Sequence, residues 1–241
     1  MVTLPRTLCI PFLIAAIAAL AGCAAGLNSA GSGPSAEPPV YRVGDRWVYH
    51  GEDGFRVKTV WDETHEVMAI GADGITVRIT VKGPSIDVTR TEIWSAPGLV
   101  KVGAVYDNET RRFAVPLQRY EFPLADGKVW NQRVDNYNEA TKATGNLNRY
   151  VRVGGWGKVT TPAGTFDAIS MQVVMRLDDE EFWRWGTDCN YAVWYAPAVR
   201  AMVKTDREAW YREKGDSLDG MQQVRTQHGT IDLVSFTPGR S

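Results

Sequence analysis

The chain has 241 residues, with 27 Lys and Arg against 28 Asp and Glu, for a formal charge of −1. So even a balance supplies no basic surface for nucleic acid or anionic lipid. The 3 cysteines are too few for a disulfide scaffold, and a chain of this length buries enough surface to do without one.

Residues 1–22 read as a secretory signal peptide. Arg6 and the amino terminus supply its positive end, and Leu8 to Leu20 its apolar core. As a helix that core spans ~20 Å, short of the ~30 Å of a bilayer interior. Ala21 and Gly22 are small, and Cys23 follows them. Leu20-Ala21-Gly22-Cys23, placed after such a core, resembles the lipobox of bacterial lipoproteins. The resemblance implies cleavage before Cys23, a diacylglyceryl thioether on its sulfur and an acyl (palmitate-type) chain on the new amino terminus. Two or more chains make such an anchor stable. Ala24 and Ala25 stand where an Asp would signal retention in the inner membrane. By resemblance to that rule, the expected location is the outer membrane, facing the periplasm. Removing the signal takes away Arg6 and no acid, so the charge moves from −1 to −2.

Residues 23–40 are then the lipidated cysteine and a flexible linker. Ala24 to Pro39 is rich in Gly, Ser, Ala and Pro and has too little apolar surface to fold.

Residues 41–241 are expected to form one β domain. Gly44-Asp45 marks a turn, and Arg46 to Tyr49 starts a strand. A strand is expected over 55–70, then a hairpin turn at Gly71-Ala72-Asp73-Gly74. Ile75, Val77, Ile79 and Val81 alternate with Thr76, Arg78, Thr80 and Lys82, the pattern of a sheet with one buried and one wet face. Ile86 to Trp94 follows with more polar faces, then Leu99 to Tyr106. Two short extended pieces flank Pro116. Asp126-Gly127 turns into Lys128-Val129-Trp130, echoing Gly44 to Trp47. The polar stretch 131–148 is expected to be a strand end and a long loop.

Tyr150 to Val159 reads as a strand bent at Gly154, Gly155 and Gly157. In Phe166 to Leu177, Ile169, Met171, Val173, Met175 and Leu177 share one face. Asp178 to Glu181 is expected to be a solvated acidic tip, with 182–186 and 190–195 returning as a hairpin. Ala201 to Tyr211 and Val224 to Phe236 close the domain. No stretch carries a helical period. The expected fold is all-β: a single curved antiparallel sheet, half-barrel or barrel of about ten strands with little helix.

Chemistry-bearing motifs are sparse. His50, His65 and His228 are too scattered for a zinc motif, and there is no nucleophile elbow or P-loop. Glu63 shares a strand face with His65, a pair expected among charged neighbours on a wet face. Cys189 is expected as a buried small hydrophobe, with a bond to another chain or a nucleophile as the alternatives. No catalytic residue, cofactor or metal site is assigned, and the chain is expected not to be an enzyme.

Thr161 to Ala168, Trp194-Tyr195-Ala196-Pro197 with Val203-Lys204, and Gly44-Asp45-Arg46-Trp47-Val48-Tyr49 resemble phrases of uncharacterised periplasmic β-proteins. That group is similar in outline to half-barrels of the LolA and LolB type, which implies a concave face able to hold acyl chains. Two functions follow as expectations. One is a non-enzymatic binding module for a lipid or other apolar ligand, with Met175 and Met171 as pocket or core. The other is an accessory lipoprotein that binds a protein partner in the envelope.

Overall fold

Alternation of apolar and polar residues makes each of these segments one stave of a barrel wall. A computed structural model of the chain describes residues 34–54, 57–215 and 222–240. The proposed signal, Cys23 and most of the linker lie outside them. The first strands are β1 (Arg46–Asp53), β2 (Thr59–Gly71), β3 (Gly74–Gly83) and β4 (Ile86–Ala96). Next come β5 (Leu99–Gly103), β6 (Arg111–Gln118), β7 (Val129–Asn138) and β8 (Ala143–Thr161). The last are β9 (Gly164–Leu177), β10 (Asp188–Ala196), β11 (Ala201–Arg212) and β12 (Gln223–Thr237). Each pairs antiparallel with its neighbour in sequence, and β12 pairs with β1, closing a barrel of 12 strands. The expected all-β antiparallel architecture is therefore present, and the sheet closes fully.

The inward face of β3 is Ile75, Val77, Ile79 and Val81, all buried. The five alternate residues from Ile169 to Leu177 on β9 are buried as well. Outward positions carry Arg78, Lys82, Arg152, Lys158 and Arg176, all exposed. A lipid-facing barrel wall needs an apolar band there. At these five positions the wall carries charge instead.

Closure depends on the Gly44-Asp45 turn. Asp45 is fully buried. Its carboxylate accepts hydrogen bonds from the Arg42 amide at 2.8 Å, the Gly239 amide at 2.7 Å and Arg200 Nη2 at 2.8 Å. One side chain thus ties the start of β1 to the end of β12 and to the β10–β11 connection. Trp47 stacks on Phe236 and donates its indole N–H to the Val199 carbonyl at 2.7 Å.

The barrel has two unlike ends. At one end, residues 34–41 lie across the rim. Ala36 pairs with Leu124, Trp156 donates to the Pro34 carbonyl, and Tyr41 packs on Trp47 and Trp94. The end of the β8–β9 hairpin also reaches β12, where the Ala163 amide meets the Leu233 carbonyl. The bulge expected at the glycines makes this bend, with the register shifting between Val153 and Trp156. In residues 34–40, expected as the last part of the flexible linker, Ala36 and Pro39 are buried and the others exposed. Ala36 is small enough to fit the rim at 2% exposure.

Two further expectations are corrected. The stretch 131–148 is a long hairpin of β7 and β8 turning at residues 139–142, where Lys142 takes a positive φ of 60°. Polar residues stand on both of its faces, with Gln132, Asn136 and Asn138 turned inward beside Trp130 and Val134, which disguised the strand period. Residues 182–186 are no strand of the barrel. They form a turn pinned by Asp179, whose carboxylate accepts from Arg184, the Thr187 amide and the Thr187 hydroxyl. Around Pro116 the ladder is interrupted, and Gln132 substitutes for it, accepting from the Gln118 amide and donating to the Pro116 carbonyl.

Candidate functional site

The interior of the barrel is not uniformly apolar. On β2, alternation sends Asp62, Thr64 and Glu66 outward and Glu63 and His65 inward. On β4 it sends Arg90, Glu92 and Trp94 inward. Arg119 enters from the loop after β6, Arg149 from β8 and Arg207 from β11. These side chains surround an inner cavity of about 170 Å3. The rest of its wall is apolar and aromatic: Tyr49, Leu117, Val173, Met175, Val193 and Ile231.

The charges form two linked groups. Glu92, 1% exposed, accepts from Trp94 Nε1 at 2.8 Å, Arg119 Nη2 at 2.9 Å and the Ala104 amide at 3.2 Å. Burial raises its proton affinity, but Arg119, Arg90 and the Trp94 hydrogen bond outweigh that and hold the carboxyl below its usual range. Glu63 accepts from His65 Nε2 at 2.7 Å, with Arg90 Nη2 at 3.6 Å. There too burial pushes the carboxyl up, and the His65 hydrogen bond with the charges of His65, Arg90 and Arg207 brings it down to about 2. The expectation of a wet face for Glu63 and His65 is therefore corrected. Both point into the barrel, because the apolar residue in register with them, Val67, is core.

Arg149, 6% exposed, donates to the carbonyls of Gln118 at 2.8 Å and Arg119 at 3.1 Å. Burial, with Arg119 nearby, weakens its hold on the proton. Arg207 lies over the Tyr191 ring at 5.4 Å. Tyr191 in turn donates to Gln227 at 2.7 Å, and Gln227 to the Tyr106 carbonyl at 2.6 Å. Burial pushes the hydroxyls of Tyr49 and Tyr120 upward, so both stay neutral.

The end opposite residues 34–41 is open. A mouth of about 620 Å3 is bounded by Asp53, Trp61, Ile86, Tyr106, Asp107 and Gln227 among others. Glu63, Arg90 and Arg207 line both the mouth and the inner cavity. They form the throat between them. The mouth falls within the ~300–1,000 Å3 of ordinary ligand pockets, and the inner cavity falls below it.

The residues singled out in the sequence are distributed as follows. Cys23 lies outside the described residues. Cys189 is a free thiol on the inner wall of β10, 1% exposed, as expected of a small hydrophobe. Met175 lines the cavity, whereas Met171 is core. His50 pairs with Asp62 at 2.9 Å on the outer wall, and His228 with Glu208 at 3.4 Å. The acidic tip does not converge: Asp178 accepts from Asn146, Asp179 pairs with Arg184 and Glu180 with Lys214. The sequence reading missed Arg90, Glu92, Arg119, Arg149 and Arg207. The one visible signal was the Arg90-Thr91-Glu92-Ile93-Trp94 alternation, which sets two charges and a Trp on one face.

No protein-family model matches the chain, and no curated protein is similar to it in sequence. Two solved structures resemble it. One is a protein from Bacteroides fragilis described as exported, with a YmcC-like fold. It has a TM-score of 0.51 and 12% identity over 84% of this chain and 99% of its own. The other, from Parabacteroides distasonis and described as a lipoprotein, has a TM-score of 0.48 and 13% identity over 85% of this chain and 100% of its own. At such identities the likeness to the first is one of fold: this chain and the Bacteroides fragilis protein share a β architecture over most of their length.

Proposed function

We propose that this protein is a cell-envelope lipoprotein, anchored through Cys23 in the outer membrane, whose barrel is a non-enzymatic binding module for a lipid or another ligand with an apolar body. The observation that carries the binding reading is the contrast between the two ends. One is covered by residues 34–41, and the other opens through a throat into a cavity whose wall is part charged and part apolar. The lipobox resemblance and Ala24-Ala25 support the anchor and its location. The fold-sharing Bacteroides fragilis protein, described as exported, agrees with a signal segment.

Native mass spectrometry before and after organic extraction tests the module. The chain has to keep residues 34–40, since they cover one end of the barrel. A co-purifying small molecule released by solvent is the expected result, and a clean unliganded mass from periplasmic material counts against it. Metabolic labelling with palmitate, lost in Cys23→Ser, tests the anchor.

A second reading, an accessory lipoprotein that binds an envelope protein, is favoured by one observation. Phe182, Trp183 and Trp185 are exposed in the β9–β10 connection, Phe182 at 89%. Cross-linking in the membrane, with Phe182→Ser as the control, tests it.

A further inference from the structure

The throat and the chamber behind it have a charge imbalance that the protein does not resolve by itself. Four guanidinium groups, Arg90, Arg119, Arg149 and Arg207, face two carboxylates, Glu63 and Glu92. Arg119 is matched by Glu92 at 2.9 Å. Arg90 donates through Nη1 to Asn108 at 2.6 Å and stands 3.6 Å from Glu63 and 4.0 Å from Glu92, while its Nε, in a side chain only 10% exposed, has no hydrogen-bond partner. Arg149 is satisfied by carbonyls alone, and Arg207, half-buried at the mouth, lies over the Tyr191 ring and has its charge felt by Glu63 without an ion-pair contact. Among the described residues neither has a carboxylate at ion-pair distance. The acids of the mouth are engaged elsewhere: Glu52 with Lys58, Asp107 with Arg111 at 2.9 Å, and Asp53 with the His228 amide at 2.8 Å. A buried cation with no carboxylate beside it, as Arg149 is, is costly, and a guanidinium fork that is not engaged by a carboxylate, as at Arg207, matches a carboxylate or phosphate.

We infer that the barrel takes a small organic anion with an apolar body. Its carboxylate or phosphate group sits between Arg207 and Arg90 at the throat, and its body lies against Val173, Met175 and Val193. This rests on the reading of the barrel as a binding module, and it names the ligand class. The chamber sets the size. An apolar cavity of ~150 Å3 accommodates benzene, so 170 Å3 suits a body of about six carbons. Anything longer extends into the mouth.

The test uses the whole mature chain with Cys23→Ala, so that no anchor competes, titrated with hexanoate, 1-hexanol and acetate and followed by amide NMR shifts. Hexanoate is expected to bind at least about tenfold tighter than either of the others, with shifts at Arg207, Arg90 and Met175. Arg207→Gln should weaken hexanoate about tenfold and leave 1-hexanol unchanged, while Arg207→Lys recovers part of the loss. Equal affinity for 1-hexanol, or an unchanged hexanoate affinity in Arg207→Gln, would overturn the anion site and leave the binding module standing. Equal affinity for acetate would overturn the apolar body. If no probe binds while a small molecule co-purifies, the assigned class is wrong. If no probe binds and none co-purifies, the binding module itself falls.

Discussion

Asp45 and Arg200 are 155 residues apart in the chain and 2.8 Å apart in the fold. The same carboxylate oxygen also accepts from the Gly239 amide. The pair therefore sits where a strip of twelve strands becomes a closed barrel. Breaking a buried pair by removing one partner leaves the other charge uncompensated, which costs about 3–5 kcal/mol. Asp45→Asn is expected to cost about that much in urea unfolding. Adding Arg200→Met should then cost little more, because two members of one pair are not additive. Full additivity of the two losses would show that the pair does not hold the seam.

The acid limb of the stability profile should carry the signature of Glu63. Its folded pKa of about 2 lies below the ~4.3 of an unfolded Glu. A depressed carboxylate contributes stability that is present above the unfolded value and lost as pH falls through the folded one. The stability gap between wild type and Glu63→Gln is therefore expected to be widest near pH 5 and to narrow toward about pH 2. Urea midpoints at three pH values across that window check this. A gap independent of pH would mean that Glu63 is not ionised in the barrel.

Cys189 should behave as a hydrophobe and not as a reagent. Burial pushes its thiol up to about 12, and the thiolate is the reactive form. In the mature chain with Cys23→Ala it is the one remaining thiol. It is expected to be silent toward a disulfide reagent near pH 8 while the protein is folded. It should react fully in about 6 M guanidinium, well beyond ordinary unfolding midpoints. Rapid labelling of the folded chain would instead favour a nucleophile or an intermolecular bridge.

Gly103 holds the space that Glu92 occupies. A Cβ at this position would lie 2.9 Å from the Glu92 carboxyl carbon and 2.9 Å from Val100 Cγ1. Neither neighbour has room to retreat, as both are about 1% exposed. Gly103→Ala is therefore expected to cost about 1–3 kcal/mol, the usual cost of overpacking. It should cost distinctly less in the Glu92→Ala background, where the side chain in the way is gone. Thermal unfolding of the four variants in the cycle reads the coupling.

The strands were legible because each carries its own two-residue period. The run from Ile75 to Val81 and that from Ile169 to Leu177 announce their faces without help from the rest of the chain. The β8 bulge was legible from its glycines for the same local reason. The 131–148 hairpin was not. Its pattern is carried by Gln132, Asn136 and Asn138 beside Trp130 and Val134; Gln132 and Asn138 are satisfied from outside the hairpin by the Pro116 carbonyl and Glu109, and Asn136 by the Gly145 carbonyl across it.

The site was hidden more deeply. Asp62 to Glu66 is polar on both faces, so alternation says that Glu63 and His65 share a side but not which side is inside. The sequence alone determined an envelope-type leader as an expectation, an all-β antiparallel chain, and the pairing of residues on each strand's two faces, because these depend on neighbours within a few residues. Only the tertiary structure decided which polar face turned inward and which end of the barrel was covered. It also decided that Glu63, Arg90, Glu92, Arg149 and Arg207, from four strands, and Arg119, from a loop, would share one cavity. Those outcomes depend on β12 meeting β1, a contact between the two ends of the domain that no local period can encode.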